Sequence, residues 1–197
     1  MAGVNSNDVY LLGPDQSKTT GAMKKGAIGA TAPTDARTQL GNGWSDAAGY
    51  ISENGITLNL NRSTSPLKDW GLNTVRVMAT DFTTNITGEF LQMDEATAQT
   101  LFGDGNVTVT AATTTKPATL KLSIGPDMPE EHAFVFNMKD GDRRARIYVP
   151  NGQITQVGSP TFVPGAGNVW PFTLECYDDG TGHSVYMFFD NGQNASA

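Results

Sequence analysis

The chain has little of what carries most protein chemistry: one cysteine, two histidines and thirteen basic residues among 197. A lone Cys176 excludes an intramolecular disulfide framework, so an oxidising compartment offers the chain nothing. His132 and His183 are far apart in sequence, and with neither an H-x-x-x-H pair nor a C-x-x-C they make no zinc-binding spacing. Twenty acidic residues leave a net charge of −7, which argues against a high-affinity nucleic-acid binder, since that needs a basic patch to neutralise phosphates. An acidic surface is nonetheless suited to letting DNA pass without holding it. The longest apolar run, Val185 to Phe189, is far shorter than the ~20 residues of a membrane-crossing helix. Met1 to Asp8 has neither the basic nor the apolar region of a signal peptide. The expectation is a soluble protein, made in a cytoplasm and without membrane contact.

Catalytic constellations are equally scarce. Cys176 falls in register with Phe172 and Leu174 on an apolar face, which reads as core rather than as a nucleophile paired with histidine. Asp140-Gly141-Asp142 and Asp178-Asp179-Gly180 look like calcium-loop fragments but lack the rest of that pattern, and hairpin turns explain both. Lys18-Thr19 follows Gly13 without the second glycine of a phosphate loop, and Glu130-Glu131 has no glycosidase partner. Arg143, Arg144 and Arg146 are the one basic cluster, explained as well by salt bridges. No catalytic, cofactor-binding or metal residue is expected, and function must lie in surfaces.

What the chain does have is Thr, Asn and Gly on alternating strands. Val75, Val77 and Ala79 alternate with Thr74, Arg76 and Thr80, and a second strand runs from Phe82 to Gln92 with Thr83, Asn85, Thr87 and Glu89 on its polar side. The period then changes: Asp94 can cap a helix, Ala98, Leu101 and Phe102 form a stripe, and Gly103 ends it, predicting one helix over about 94–102. Ile56, Leu58 and Leu60 alternate with Thr57, Asn59 and Asn61. Further strands are expected at Val107–Val109, Leu120–Ile124, Phe134–Met138, Ala145–Val149, Ile154–Val157, Phe172–Cys176 and His183–Asp190, with hairpin turns at Asp140-Gly141 and Asn151-Gly152. About ten strands and one helix predict a mainly β sandwich or barrel with a flanking helix. Residues 1–45, thin in apolar residues apart from Val9, Tyr10, Leu11, Leu12 and Ile28, read as an N-terminal arm, either ordered against a neighbouring subunit or frayed; residues 46–197 read as one β domain. Arg62 to Asn73 reads as a polar loop that still carries Leu67, Trp70 and Leu72, which either cover the domain's own core edge or meet another subunit.

Taken in order, A-P-T-D-A at 32–36, G-Y-I-S-E-N-G-I at 49–56, K-D-W-G at 68–71, F-G at 102–103, E-E-H-A-F-V-F at 130–136 and R-I-Y-V-P-N-G-Q-I-T at 146–155 resemble a known family. It is the major tail protein, or tail tube protein, of phages with long non-contractile tails, particularly those of actinobacterial hosts. The resemblance implies a tail-tube-type β domain that assembles with itself into stacked rings, typically six-fold, forming a hollow virion tail through which DNA passes without specific binding. It also implies tape measure and tail terminator or tip proteins as partners, no cofactor, and inter-ring contacts through the arm and the Arg62–Asn73 loop. On that reading Val9, Tyr10, Leu11, Leu12, Leu67, Trp70 and Leu72 are the contact candidates. Thr57, Asn59, Asn61, Thr83, Asn85, Thr87 and Glu89 are the candidates for lining the channel, since each lies on the polar side of a half-apolar strand. Two other classes compete: a carbohydrate- or receptor-binding β-sandwich, for which Trp44, Trp70 and Trp170 could serve as platforms, and a capsid decoration or head-joining protein.

Overall fold

The computed structural model describes residues 8–15, 22–165 and 167–193. Lys18 and Thr19, and Met1–Asn7 and 16–21 of the expected arm, lie outside the described residues. The fold is mainly β. Its strands are β1 (Gly13–Pro14), β2 (Met23–Gly26), β3 (Trp44–Asp46), β4 (Ile51–Lys68), β5 (Thr74–Phe90), β6 (Val107–Thr110), β7 (Thr119–Leu122), β8 (His132–Asp140), β9 (Arg143–Val157), β10 (Trp170–Tyr177) and β11 (Tyr186–Asp190). One helix, α1 (Glu95–Phe102), follows β5. A single hydrogen-bonded sheet runs β3-β2-β8-β9-β10-β5-β4, with β1 also on β8 and β11 on β9, while β6 and β7 form a separate ribbon.

β9 joins two halves of this sheet, since Arg143 to Val149 pairs with β8 and β11 whereas Asn151 to Val157 pairs with β10. Between the halves, β8 steps from His132 to Phe134 while β9 steps from Gly152 to Val149, so β9 carries one extra residue. Such a bulge bends and twists its strand. The hairpin turn expected at Asn151-Gly152 is therefore replaced by a strand that passes straight through. Gly152 is required there by close approach, because a Cβ would lie 3.0 Å from Leu174 Cδ1 and 3.1 Å from the Glu175 carbonyl oxygen. The turn expected at Asp140-Gly141 is present, with Asp140 opposite Arg143 and Gly141 at φ 58°.

The two halves share one core. Phe134, Phe136 and Val149 come from one side, Ile86, Phe90, Phe172 and Leu174 from the other, and Leu101 from α1. Phe172 stacks on Phe90 at 4.3 Å and lies across Gly88, where a Cβ would come within 3.0 Å of its ring. Cys176 sits in this core as the alternation predicts, and burial pushes its thiol up to about 12, which keeps it from acting as a thiolate nucleophile. On α1, Asp94 Oδ1 accepts from the Thr97 amide at 2.9 Å. Thr97 and Thr100 are buried beside Ala98 and Leu101, with the Thr100 hydroxyl donating to the Ala47 carbonyl at 2.6 Å.

The outer face of β8 and β9 is also covered. Ala133, Val135 and Tyr148 form a second cluster beneath Leu40, Trp44, Tyr186 and Phe188, which is why Ala145 to Pro150 is buried throughout rather than alternately. The described part of the expected arm between Ala22 and Ser45 thus packs on the sheet, through β2 on β8 and β3 on β2. Its anchor is polar. Buried Arg146 donates to Asn137 Oδ1 at 2.7 Å and to the carbonyls of Asp35 and Thr38 at 2.8 and 3.0 Å. Arg37 closes the same segment onto Asp190 and the Asp142 carbonyl.

The segment expected to be a loop from Arg62 to Asn73 is instead the outer part of a long hairpin. β4 and β5 stay paired from Ile56↔Gly88 to Lys68↔Thr74, and only Asp69 to Asn73 turns. β10 accompanies β5 only as far as Thr84, and every residue from 61 to 83 is exposed.

Candidate functional site

The seven polar residues picked as channel-lining candidates lie together on one face. Thr57 pairs with Thr87, Asn59 with Asn85 and Asn61 with Thr83 across the β4–β5 hairpin, and Glu89 follows two residues after Thr87. The register carries the row into strands that local patterning does not connect. Thr87 meets Thr173 and then Gln156, and Asn85 meets Glu175 and then Gln153. The opposite face of the same strands holds Leu58, Ile86, Leu174 and Ile154, all packed in or against the core. The result is a four-stranded surface, β9-β10-β5-β4, apolar inward and covered outward with amides, hydroxyls and carboxylates.

Hydrogen bonds stiffen that surface. Asn59 Nδ2 donates to Asn85 Oδ1 at 2.9 Å, Asn85 Nδ2 to Glu175 Oε1 at 3.4 Å, and the Tyr177 hydroxyl to Gln153 Oε1 at 3.0 Å. Glu89 Oε2 accepts from the Ser52 hydroxyl and from Asn54 Nδ2, both at 3.0 Å. Ser52 and Asn54 belong to an irregular step in β4 between Ile51 and Ile56. Asp81, opposite Ser63, continues the row outward, so the face carries Glu89, Glu175 and Asp81. The carboxylates give this face a negative character.

The contact candidates fall into two groups. Leu67, Trp70 and Leu72 sit at or next to the hairpin tip. Asp69 organises the turn: its carboxylate accepts from the Asn73 amide at 2.8 Å and from Asn73 Nδ2, and these bonds hold its pKa below the usual carboxylate value. Leu72 takes a positive φ of 64°, and the turn presents Trp70 fully to solvent. Behind the tip the hairpin remains amphipathic. Leu60, Phe82 and Val77, each at least half exposed, continue the apolar side, with Leu60 opposite Thr84, Phe82 opposite Arg62 and Val77 opposite Pro66. The second group runs past the β8–β9 turn. Tyr10 packs on Phe189 with ring centroids 5.5 Å apart, the Leu11 amide donates to Asp140 Oδ2, and the Val9 carbonyl accepts from Arg143. Val9 and Leu11 remain exposed, Tyr10 and Leu12 partly covered.

The three tryptophans do not form a shared platform. Trp44 packs edge-on against Tyr148, Trp170 lies between Phe102 and Phe162, and Trp70 stands alone at the tip. No group of three or more His, Cys, Asp or Glu side chains able to hold a metal ion occurs among the described residues. None of the described helices is long and apolar enough to cross a membrane.

The model of the phage tail tube protein family matches residues 18–196, and the chain belongs to that family. Family membership makes it a structural component of a phage tail. No curated protein matches it in sequence. Among solved structures it is similar to a chain of an extracellular contractile injection system, the PVC sheath-tube complex in its extended state, with 15% identity and a TM-score of 0.37, covering 70% of this chain and 84% of that one.

Proposed function

We propose that the chain is a non-enzymatic tail tube subunit whose copies close into rings, six-fold by family resemblance, that stack into a hollow channel for genome ejection. The observation that carries this is the polar face of β9-β10-β5-β4. It is a continuous lining with carboxylates at Glu89, Glu175 and Asp81, backed by the subunit's own core. Two free edges bound this four-stranded sheet. Among the described residues no strand pairs with the outer side of β4, and β8 leaves β9 beyond Gly152. Open edges are templates for pairing with another chain, and joining the β4 edge of one copy to the β9 edge of the next would close the sheets into a barrel with no edges left. The exposed Leu60, Phe82 and Val77 side of the hairpin is then covered by neighbours, as an apolar strip of this kind requires.

The finer reading, a long non-contractile tail on a phage of an actinobacterial host, with tape measure and terminator proteins as partners, is supported by the order of motifs along the sequence. Immunogold labelling of the virion with antibody to this chain tests the assignment. Label is expected along the whole tail shaft, and label confined to the head or the tail tip would overturn it.

A further inference from the structure

The sequence holds four Asn-Gly dipeptides, at Asn42, Asn54, Asn151 and Asn191. In this dipeptide the backbone can modify its own side chain: the glycine nitrogen attacks the asparagine Cγ, and the missing Cβ leaves that approach unhindered. The structure sorts the four. Gly152 is paired with Cys176 on one side and His132 on the other, and Leu174 and Val149 crowd it. The Gly192 amide donates to Asp190 Oδ1 at 2.8 Å, and the Asp142 backbone lies against the same glycine. Gly43 and Gly55 are different: among the described residues nothing beyond their chain neighbours comes within 4 Å of where a Cβ would stand. Asn42 and Asn54 are both exposed.

We propose that Asn54 is a site of spontaneous deamidation, which adds a carboxylate to the polar face of β9-β10-β5-β4. Asn54 lies in the step between Ile51 and Ile56, where neither it nor Gly55 has a register partner on β5. The backbone there can bring the Gly55 nitrogen onto Cγ without opening the ladder. In the first step an N–Cγ bond forms and the Cγ–Nδ2 bond breaks. Ammonia leaves with the proton lost by the Gly55 nitrogen, and a cyclic imide remains. Water then opens the imide at either carbonyl, giving aspartate or isoaspartate, with no oxidant or reductant involved. The change falls on a contact that shapes the face. Asn54 Nδ2 donates to Glu89 Oε2 at 3.0 Å, so the product sets a like charge where Glu89 had a donor, and the Ser52 hydroxyl is left holding that carboxylate. Asn42 has the same room but precedes β3, at the opposite edge of the sheet from β4. On the tail tube reading the added charge repeats in every subunit around the channel wall.

Ageing the purified full chain in mildly alkaline buffer, with tandem mass spectrometry of its peptides at intervals, measures conversion at each asparagine. Asn42 and Asn54 are expected to convert about tenfold or more faster than Asn151 and Asn191, whose reaction must wait for local opening. Conversion of Asn42 with Asn54 unchanged would overturn the proposal, and so would conversion of Asn54 no faster than Asn151. Asn54→Asp supplies the product charge at once. It is expected to melt below the wild type at low salt, with the gap closing as salt is added. A variant that melts like the wild type at every salt concentration would overturn the coupling to Glu89. None of these results bears on the tail tube reading, which fails instead if the immunogold label is missing from the tail shaft.

Discussion

Replacing Trp70 with alanine separates folding from assembly. In the free subunit the indole touches nothing beyond its own turn and is fully exposed, so its removal is expected to change folding stability by no more than about 0.5 kcal/mol. For a domain of this size that is a shift of at most about 2 °C in Tm. On the proposed assembly the same ring becomes a buried aromatic anchor in the tube. An aromatic side chain that buries 150–250 Å² corresponds to roughly 4–6 kcal/mol of transfer free energy at about 25 cal/mol per Å², and hot-spot truncations typically lose about 2–4 kcal/mol. At 1.4 kcal/mol per decade the lower figure weakens each contact about 30-fold. A ring interface repeats the contact, so the critical concentration for tube growth is expected to rise by at least that factor. Thermal melting of the free subunit and a pelleting assay across a concentration series measure the two effects side by side. A Tm lowered by many degrees would mean that Trp70 supports its own domain, and an unchanged critical concentration would mean that it anchors nothing; either result refutes the reasoning.

Arg146→Met removes the donors for Asn137 and for the Asp35 and Thr38 carbonyls, at an expected cost of about 2–4 kcal/mol; thermal melting should show the loss, and limited trypsin digestion should cut at Arg37 faster than in the wild type. Glu175→Lys, alone or with Glu89→Lys, should leave tubes intact but slow DNA release in an ejection assay, more at low salt than at high; unchanged ejection kinetics would place these residues off the channel. Asp35, held at about 2 chiefly by the Thr38 hydroxyl, and Asp179, held at about 2 chiefly by the Thr181 hydroxyl, both lie below the ordinary 3.8. Their contribution is present above the unfolded value and lost as pH falls towards 2, and solvent screening keeps it small, so Tm should fall gradually below about pH 4. A shallow decline should begin below 6.5, where His132, its pKa lowered by burial, resists protonation in the folded state; a Tm that rises between pH 4 and pH 2 would contradict the assignment.

Local chemistry made several elements legible from sequence. Asp94, the Ala98–Leu101–Phe102 stripe and Gly103 placed α1 to within a residue, and Asp140-Gly141 marked its turn. Period-two alternation put the seven polar residues of β4 and β5 on one face. What alternation could not show is that Glu175 joins Asn85 across 90 residues of sequence, because that depends on strand register set by the whole core. Asn151-Gly152 misled because the strongest hairpin dipeptide also serves where a strand bends and needs a residue without a Cβ. The outer arm of β4, Arg62 to Lys68, read as a loop because strand patterning is recognised by one buried face, and here neither face is buried in the subunit, whereas Thr74 to Thr80 kept the alternation that marks β5 as a strand. The part of the arm between Ala22 and Ser45 looked too polar to pack because its main anchor is a guanidinium on β9 and its own apolar contributors are few.

The central claim is that the β9-β10-β5-β4 surface lines a channel. A cryo-electron microscopy reconstruction of the tail tube at side-chain resolution tests it most directly. The account predicts Asn85, Glu89, Thr173 and Glu175 facing the bore, with the hairpin reaching into the adjacent ring; Glu175 and Asn85 on the outer surface of the tube would contradict it.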